Sequence, residues 1–371
     1  MALQTVNIGS APNDGTGDPA RTAFGKVNDN FAELYGIYGS EVETQTFTSK
    51  QDDLAINDYT RILRWDGAGT TGITGLSLAA GRVATIVNAS TDYLLWLENQ
   101  NTASAATNRF LLPDGFPAFL LPGDSITVWK DGTTDRVRVL DWPARGKAMG
   151  LSTFTDCDSV ITDAYDSRNS GTGVSWGSGS AEGINTTSRA LGVTYCGAGT
   201  TSTGYSYRAY ASSTCAMIAP TLGAAITVCR IKSQSEPTAA EEYGILCGFH
   251  DDGTGTLADG VYWEKWWNGS AAAMSRTVAS GGVIARSAAA VLTSSGSWVW
   301  LIVFVNPAWT RADYIYSTDS ISFSLDGSIS SGLPTATQLV GPQFGIRKRA
   351  GTTDRSVYFD LLGHRVSQVR A

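Results

Sequence analysis

The chain is short of charge, of histidine and of long apolar runs. Asp, Glu, Lys and Arg together make up 16% of its 371 residues, and the histidines are two, His250 and His364. Neither lies beside a Gly-x-Ser-x-Gly or comparable nucleophile motif, so a Ser–His hydrolase is not expected. A glycosidase needs two carboxylates flanking one bond. The strand-like segment 261–267 carries one, Glu264, which Asp259 or Glu242 could join only through the fold. No apolar run approaches the ~20 residues that span a bilayer. The opening Met-Ala-Leu-Gln-Thr lacks the basic and apolar regions of a signal peptide. A chain made in the cytoplasm, without membrane insertion, is expected. The net charge of −7 argues against nucleic acid or an anionic membrane as the main partner. The five cysteines, Cys157, Cys196, Cys215, Cys229 and Cys247, show no Cys-x-x-Cys metal spacing. They read as buried thiols or as thiols that oxidise outside the cell. The run His250-Asp251-Asp252-Gly253-Thr254-Gly255, with Asp259 nearby, offers oxygen ligands that calcium could use. It lacks the bidentate Glu of an EF-hand, and an acidic exposed turn is the favoured reading. The sequence assigns no catalytic, cofactor-binding or metal-binding residue.

Glycine, in contrast, is plentiful at 41 residues, and there are 11 tryptophans. Turns between aromatic, alternating segments suit a mainly β chain, and the length suggests two or three domains. From Thr46 the pattern alternates. Strands are expected at 59–65, 82–88, 93–98, 125–130 and 136–140, which predicts a small antiparallel β domain over 46–142. Pro143, Gly146 and Gly150 mark a hinge over 143–150. Beyond it, strand-like segments recur at 190–195, 206–211, 225–232, 243–249, 260–266, 297–305, 321–325, 343–347 and 356–361. The Ala-rich stretch 285–292 reads as a strand or a short helix. About ten strands without helices over 151–371 imply a two-sheet sandwich.

One constellation there is aromatic: Tyr262, Trp263, Trp266 and Trp267. Alternate side chains of a strand face opposite sides. Trp263 and the segment around Trp267 therefore share one face, and Tyr262, Glu264 and Trp266 the other. One set packs between sheets; the other meets a sugar ring or another subunit, unless both belong to the core. Trp298 and Trp300 read as core or interface. Residues 347–355 form a local basic cluster, read as a solvated hairpin with Ala350-Gly351 in its turn. An acidic polysaccharide would suit it, though nothing else in the sequence supports one.

The most informative stretch is 7–35. Pro12, Asn13-Asp14-Gly15 and Gly17 favour turns. Asp18 reads as an N-cap with Pro19 at the first helical position, and Gly36 as a stop, which predicts a helix over 18–35. Its apolar positions Ala20, Phe24, Val27, Phe31 and Leu34 are spaced 4, 3, 4 and 3, a heptad seam. A helix this short needs a partner, either copies of itself about an axis or its own chain.

This stretch resembles the N-terminal motif of tailed-phage fibre and spike proteins, in which a loop of the N-D-G-T-G-D-P type leads into a helix of the R-T-A-F-x-K-V-N-D-N-F-x-E-L-Y type. Residues 46–142 resemble a small β domain of such fibres, on N-R-F-L-L-P at 108–113, L-P-G-D-S-I-T-V-W at 121–129 and R-V-R-V-L at 136–140. The order G-F-H-D-D, D-G-V-Y-W-E, W-V-W-L-I-V-F-V-N, F-S-L-D-G and G-P-Q-F-G-I-R-K-R-A-G-T-T-D-R-S-V-Y-F-D looks like a concanavalin-like jelly roll. Taken together, these resemblances imply a homotrimeric virion protein on the particle surface. Residues 1–45 would attach it to tail, collar or head proteins, 46–142 would be a spacer, and 151–371 would be displayed toward a host polysaccharide. The alternatives are a purely structural head or collar fibre and, less favoured, a polysaccharide depolymerase.

Overall fold

The computed structural model describes residues 4–11, 14–39, 42–58, 60–142, 153–156, 172–176, 180–184, 194–209, 223–251, 257–267, 269, 272–289, 294 and 296–366. It is mainly β, with one α-helix, a small β domain and a C-terminal two-sheet sandwich. The helix, Ala20–Gly39, runs past Gly36, which does not stop it. Asp18 is not a side-chain cap. Its carboxylate accepts from the Asn7 N–H at 2.8 Å and from Lys26 Nζ at 2.7 Å, and the first helical bond runs from the Ala23 N–H to the Pro19 carbonyl. The loop before it is tied by Asp14, which accepts from the N–H groups of Ser10, Ala11 and Thr16. Gln4 and Asn30 exchange two further bonds, so loop and helix form one clasp. The seam faces outward. Phe24 is 69% exposed and Phe31 52%, Ala20 is exposed, and Val27 is half-buried. The Leu34 side chain lies outside the description.

The domain over 46–142 departs from the antiparallel expectation. Val42–Gln45, Ile62–Trp65 and Val83–Asn88 pair in parallel, with Val42 opposite Ile62 and Ile62 opposite Thr85. Leu54–Ala55 with Leu76–Ser77, and Thr71–Ile73 with Leu95–Leu97, are parallel too. The chain thus winds as a short β-solenoid, 20 residues from Val42 to Ile62 and 23 from Ile62 to Thr85. Leu63, Trp65, Ile73, Leu76, Ile86, Leu95 and Leu97 fill its interior. Ser125–Asp131, antiparallel to both Val83–Asn88 and Arg136–Asp141, closes it. Alternation reports a half-buried face and is silent on strand direction.

The sandwich has one sheet in the order β1 (Thr172–Trp176), β2 (Tyr205–Ala209), β7 (Gly341–Lys348), β3 (Tyr243–His250), β4 (Gly260–Trp267), β5 (Ala272–Ser280) and β6 (Val283–Ala288). The facing sheet is led through its centre by Thr194–Ala198, Ser356–Val366, Ala225–Ser233, Val299–Val305, Ala312–Ser317 and Ser324–Ile329. Every ladder in both sheets is antiparallel. Residues 285–288 of the Ala-rich segment are the end of strand β6, and 290–292 lie outside the described residues. Trp263, Phe344, Ile346, Leu301, Val303 and Tyr314 meet between the sheets. Cys196, Cys229 and Cys247 lie there as reduced, buried thiols, with burial pushing the Cys247 thiol well up. Cys157 and Cys215 lie outside the described residues.

Solenoid and sandwich share a third core. Leu94, Trp96, Phe119 and Leu121 pack against Ile226, Val228, Trp300, Ile302, Phe304, Ile315 and Phe323. Polar groups stitch its margins. Buried Glu98 accepts from Trp96 Nε1 at 2.9 Å, from the Phe323 N–H at 3.0 Å and from Lys50 Nζ at 2.8 Å. Arg311 pairs with Asp313, donates to the Asp92 carbonyl, and lies 3.8 Å from the centre of the Tyr93 ring. The expected hinge, 143–150, lies outside the described residues; the modules on either side of it are packed together.

Candidate functional site

Strand β4 divides its side chains as alternation requires. Trp263 points into the inter-sheet core, where its Nε1 donates to the Ile302 carbonyl at 2.9 Å and its ring meets Tyr314 edge-on, centroids 5.4 Å apart. Tyr262, Glu264 and Trp266 occupy the outer face. The antiparallel register sets Tyr262 beside Gly248 and Glu264 beside Leu246, and then Leu246 beside Gly345 and Gly244 beside Arg347. Glycines at these positions keep the floor low. A Cβ at Gly244 would meet nothing closer than the Lys265 carbonyl at 3.7 Å. The result is a shallow trough of about 20 Å³, open to solvent, walled by Glu264, Ile284, Arg286, Arg347 and Arg349.

Glu264 is its centre. The carboxylate is almost wholly buried, and it accepts from Arg286 Nε at 2.6 Å, Arg286 Nη2 at 3.2 Å and Arg349 Nη2 at 2.9 Å. A buried charge needs such partners, since leaving it unpaired costs several kcal/mol, about 3–5. Both guanidiniums also lie against Trp266, Arg286 at 4.9 Å and Arg349 at 5.6 Å from the ring centre. Burial opposes charge on Arg286, but the hydrogen bonds and charge of Glu264 outweigh it and hold its pKa above the usual value.

The four aromatics therefore do not form one platform. Trp263 belongs to the core. Tyr262 is fully buried, with His250 edge-on at 5.7 Å. Trp267 is half-buried, and Trp266 is half-buried and backs the two arginines. Trp300 is core, as expected, and Trp298 holds Arg230 at 5.2 Å. The basic cluster is not a hairpin. It links β7 to Ser356–Val366 in the facing sheet, and its Arg349 turns to Glu264. Arg286 was missed in the sequence. The Ser280-Gly281-Gly282 turn held the signal, because pairing outward from Ser280 opposite Val283 places Arg286 opposite Thr277.

Asp259 does not join Glu264. Five residues of extended strand separate them, about 17 Å, beyond the ~5–9.5 Å of a glycosidase pair. Asp259 instead accepts from the Gly281 N–H, and Asp251 from the N–H groups of Ala258 and Asp259, so both close loops. Asp252 and the His364 side chain lie outside the description. Among the described residues, no three His, Cys, Asp or Glu come together as metal ligands.

No protein-family model matches the chain, and no curated protein matches it in sequence. Several solved structures align with part of the chain. One is a protein of unknown function from Shewanella oneidensis MR-1, 11% identical, TM-score 0.38, with 62% of this chain and 86% of that one covered. A second is the carbohydrate recognition domain of Emp46p in its potassium-bound form, 8% identical, TM-score 0.39, covering 60% and 98%. A third is the CBM2 module of the evolved Dit of Lactobacillus casei BL23 phage J-1, 11% identical, TM-score 0.33, covering 49% and 80%. Likenesses of this size concern the fold and carry nothing about function.

Proposed function

We propose that the chain is a subunit of a trimeric phage fibre or spike. It is attached to the virion by its N-terminal clasp and presents the sandwich to a glycan of the host surface. The clasp carries this reading. Asp14, Asp18 and Lys26 bond within it, while Phe24 is 69% and Phe31 52% exposed, so part of its apolar seam can reach other chains. Three copies could bring these seams together about an axis, or each could dock into a virion protein. The trough of the sandwich, at the far end of the sequence, supplies a surface for the host. The Glu264 carboxylate is engaged by Arg286 and Arg349, and Asp259 lies well away along the strand, so the proposed role is binding.

Deleting residues 1–36 is expected to leave a folded β body that no longer joins particles. Normal incorporation would sink the anchor. Light scattering of the intact chain is expected to give three times the monomer mass, and a stable monomer would remove the trimer. If particles lacking the sandwich bound host cells as well as complete ones, the alternative of a purely structural head or collar fibre would replace the attachment role.

A further inference from the structure

The geometry points to an acidic polysaccharide, one carrying carboxylates at intervals along its chain, as the ligand of the trough. The inference rests on the glycan-binding reading above and narrows it. A neutral sugar is held by stacking its apolar face on a bare aromatic ring. This trough offers no such ring from β4. Tyr262 is buried, and Trp266 has two guanidiniums against it.

Cationic groups wall it instead. Arg286, Arg347 and Arg349 line it beside one carboxylate, Glu264, so the lining carries two more positive charges than negative, in a protein whose net charge is −7. The Arg349 side chain is 37% exposed and that of Arg286 27%. A guanidinium has five N–H donors, so the two present ten, of which three are given to Glu264. The rest project from a fixed base, because Glu264 and Trp266 hold both arginines in place. Guanidinium matches a carboxylate in planar, two-bond geometry, which makes a held arginine pair a selective reader of that group. Glu264 thus acts as a positioning residue, and Arg286 and Arg349 as the contacts. The trough is too small to enclose a sugar ring, so the chain would lie across it and bring its carboxylates to the arginines of its walls.

The test uses the intact chain in calorimetric titrations with three oligosaccharide series of equal length: polygalacturonate, a sulfated dextran and neutral dextran. The expected result is that polygalacturonate binds at least tenfold tighter than neutral dextran, that added salt weakens it, and that R349Q loses at least fivefold. R349Q alters an exposed side chain, and its melting curve checks the fold. E264Q, which keeps the side chain's shape but removes the charge that fixes both arginines, is expected to weaken polygalacturonate binding and flatten its salt dependence; unchanged affinity and salt dependence would overturn the positioning role. Binding of neutral dextran at equal strength, unmoved by R349Q, would overturn the acidic ligand and leave glycan attachment standing. Binding of sulfated dextran alone would overturn the carboxylate. Failure of every series, with particles that still bind host cells without their sandwich, would overturn the glycan reading itself.

Discussion

Residues 4–39 and the β body that follows treat their apolar side chains in opposite ways. In the body, Trp65, Trp96, Trp263 and Trp300 are all buried among three apolar cores, and the exposed apolar residues, such as Leu140 and Val283, stand apart from them. In the clasp, polar bonds hold the shape, and the large apolar groups Phe24 and Phe31 stay outside. The body folds because burial of apolar surface drives it, at about 25 cal/mol per Å². The clasp holds its turn through Asp14, Asp18 and Lys26, and so leaves its seam over for another surface. The lesson is that exposure of a large apolar residue carries information only where the surrounding backbone is already secured.

The contrast can be broken at several points. The largest effect is expected in the body: Trp263→Ala removes a ring packed on Tyr314 and should cost about 3–5 kcal/mol, read as a lower urea midpoint. A midpoint within error of the parent would mean that the inter-sheet core is not where stability resides.

Next comes the seam between solenoid and sandwich. Glu98→Ala leaves the Phe323 N–H and Trp96 Nε1 without their acceptor, at a cost of about 2–3 kcal/mol. Calorimetry should then resolve two transitions where the parent shows one. A single unchanged transition would mean that Glu98 does not hold the modules together.

Paired substitution Phe24→Ser with Phe31→Ser should change the stability of the body by no more than about 0.5 kcal/mol, yet abolish self-association in sedimentation. Destabilisation by more than about 1 kcal/mol, beyond that range, would place the seam on its own chain.

The smallest effect concerns acid. Hydrogen bonds from the Ser10 hydroxyl and the Thr16 N–H hold the Asp14 carboxyl well below the usual range, and a bond from Lys26 lowers Asp18. A folded-state pKa below the unfolded one means that the stabilisation is complete above about pH 4, the ordinary Asp value. It fades as pH falls toward the depressed folded values. Amide exchange at Ser10, Ala11 and Thr16 should quicken, relative to a short unstructured peptide, only below that point. Equal protection at pH 2 and pH 7 would show that the carboxylates do not hold the loop.

Much of this was legible in the chain. The loop and helix at the start declared themselves in Asp14 and Pro19, and alternation alone put Trp263 on one face of β4 and Tyr262, Glu264 and Trp266 on the other, without saying which face was core. The solenoid was not legible, because its strands are two to six residues long and their parallel partners lie some twenty residues away. Short segments show a face but not a direction. The trough was half legible. Glu264, Trp266 and the basic run around Arg349 were each noticed, yet nothing local joins positions 264, 286 and 349. Sheet register does so, and register is a property of the folded chain. The helix end was misjudged because a glycine at position 36 costs an α-helix only about 1 kcal/mol, which the residues around it outweigh.

The shared core between solenoid and sandwich has a mechanical meaning. With Trp96 and Phe119 packed on Phe304 and Phe323, and Arg311 reaching across to Asp92, the body from Val42 onward is one stiff lever. A pull on the trough is then not absorbed by a pivot between modules. It travels through the shared core to the foot of the solenoid at Val42.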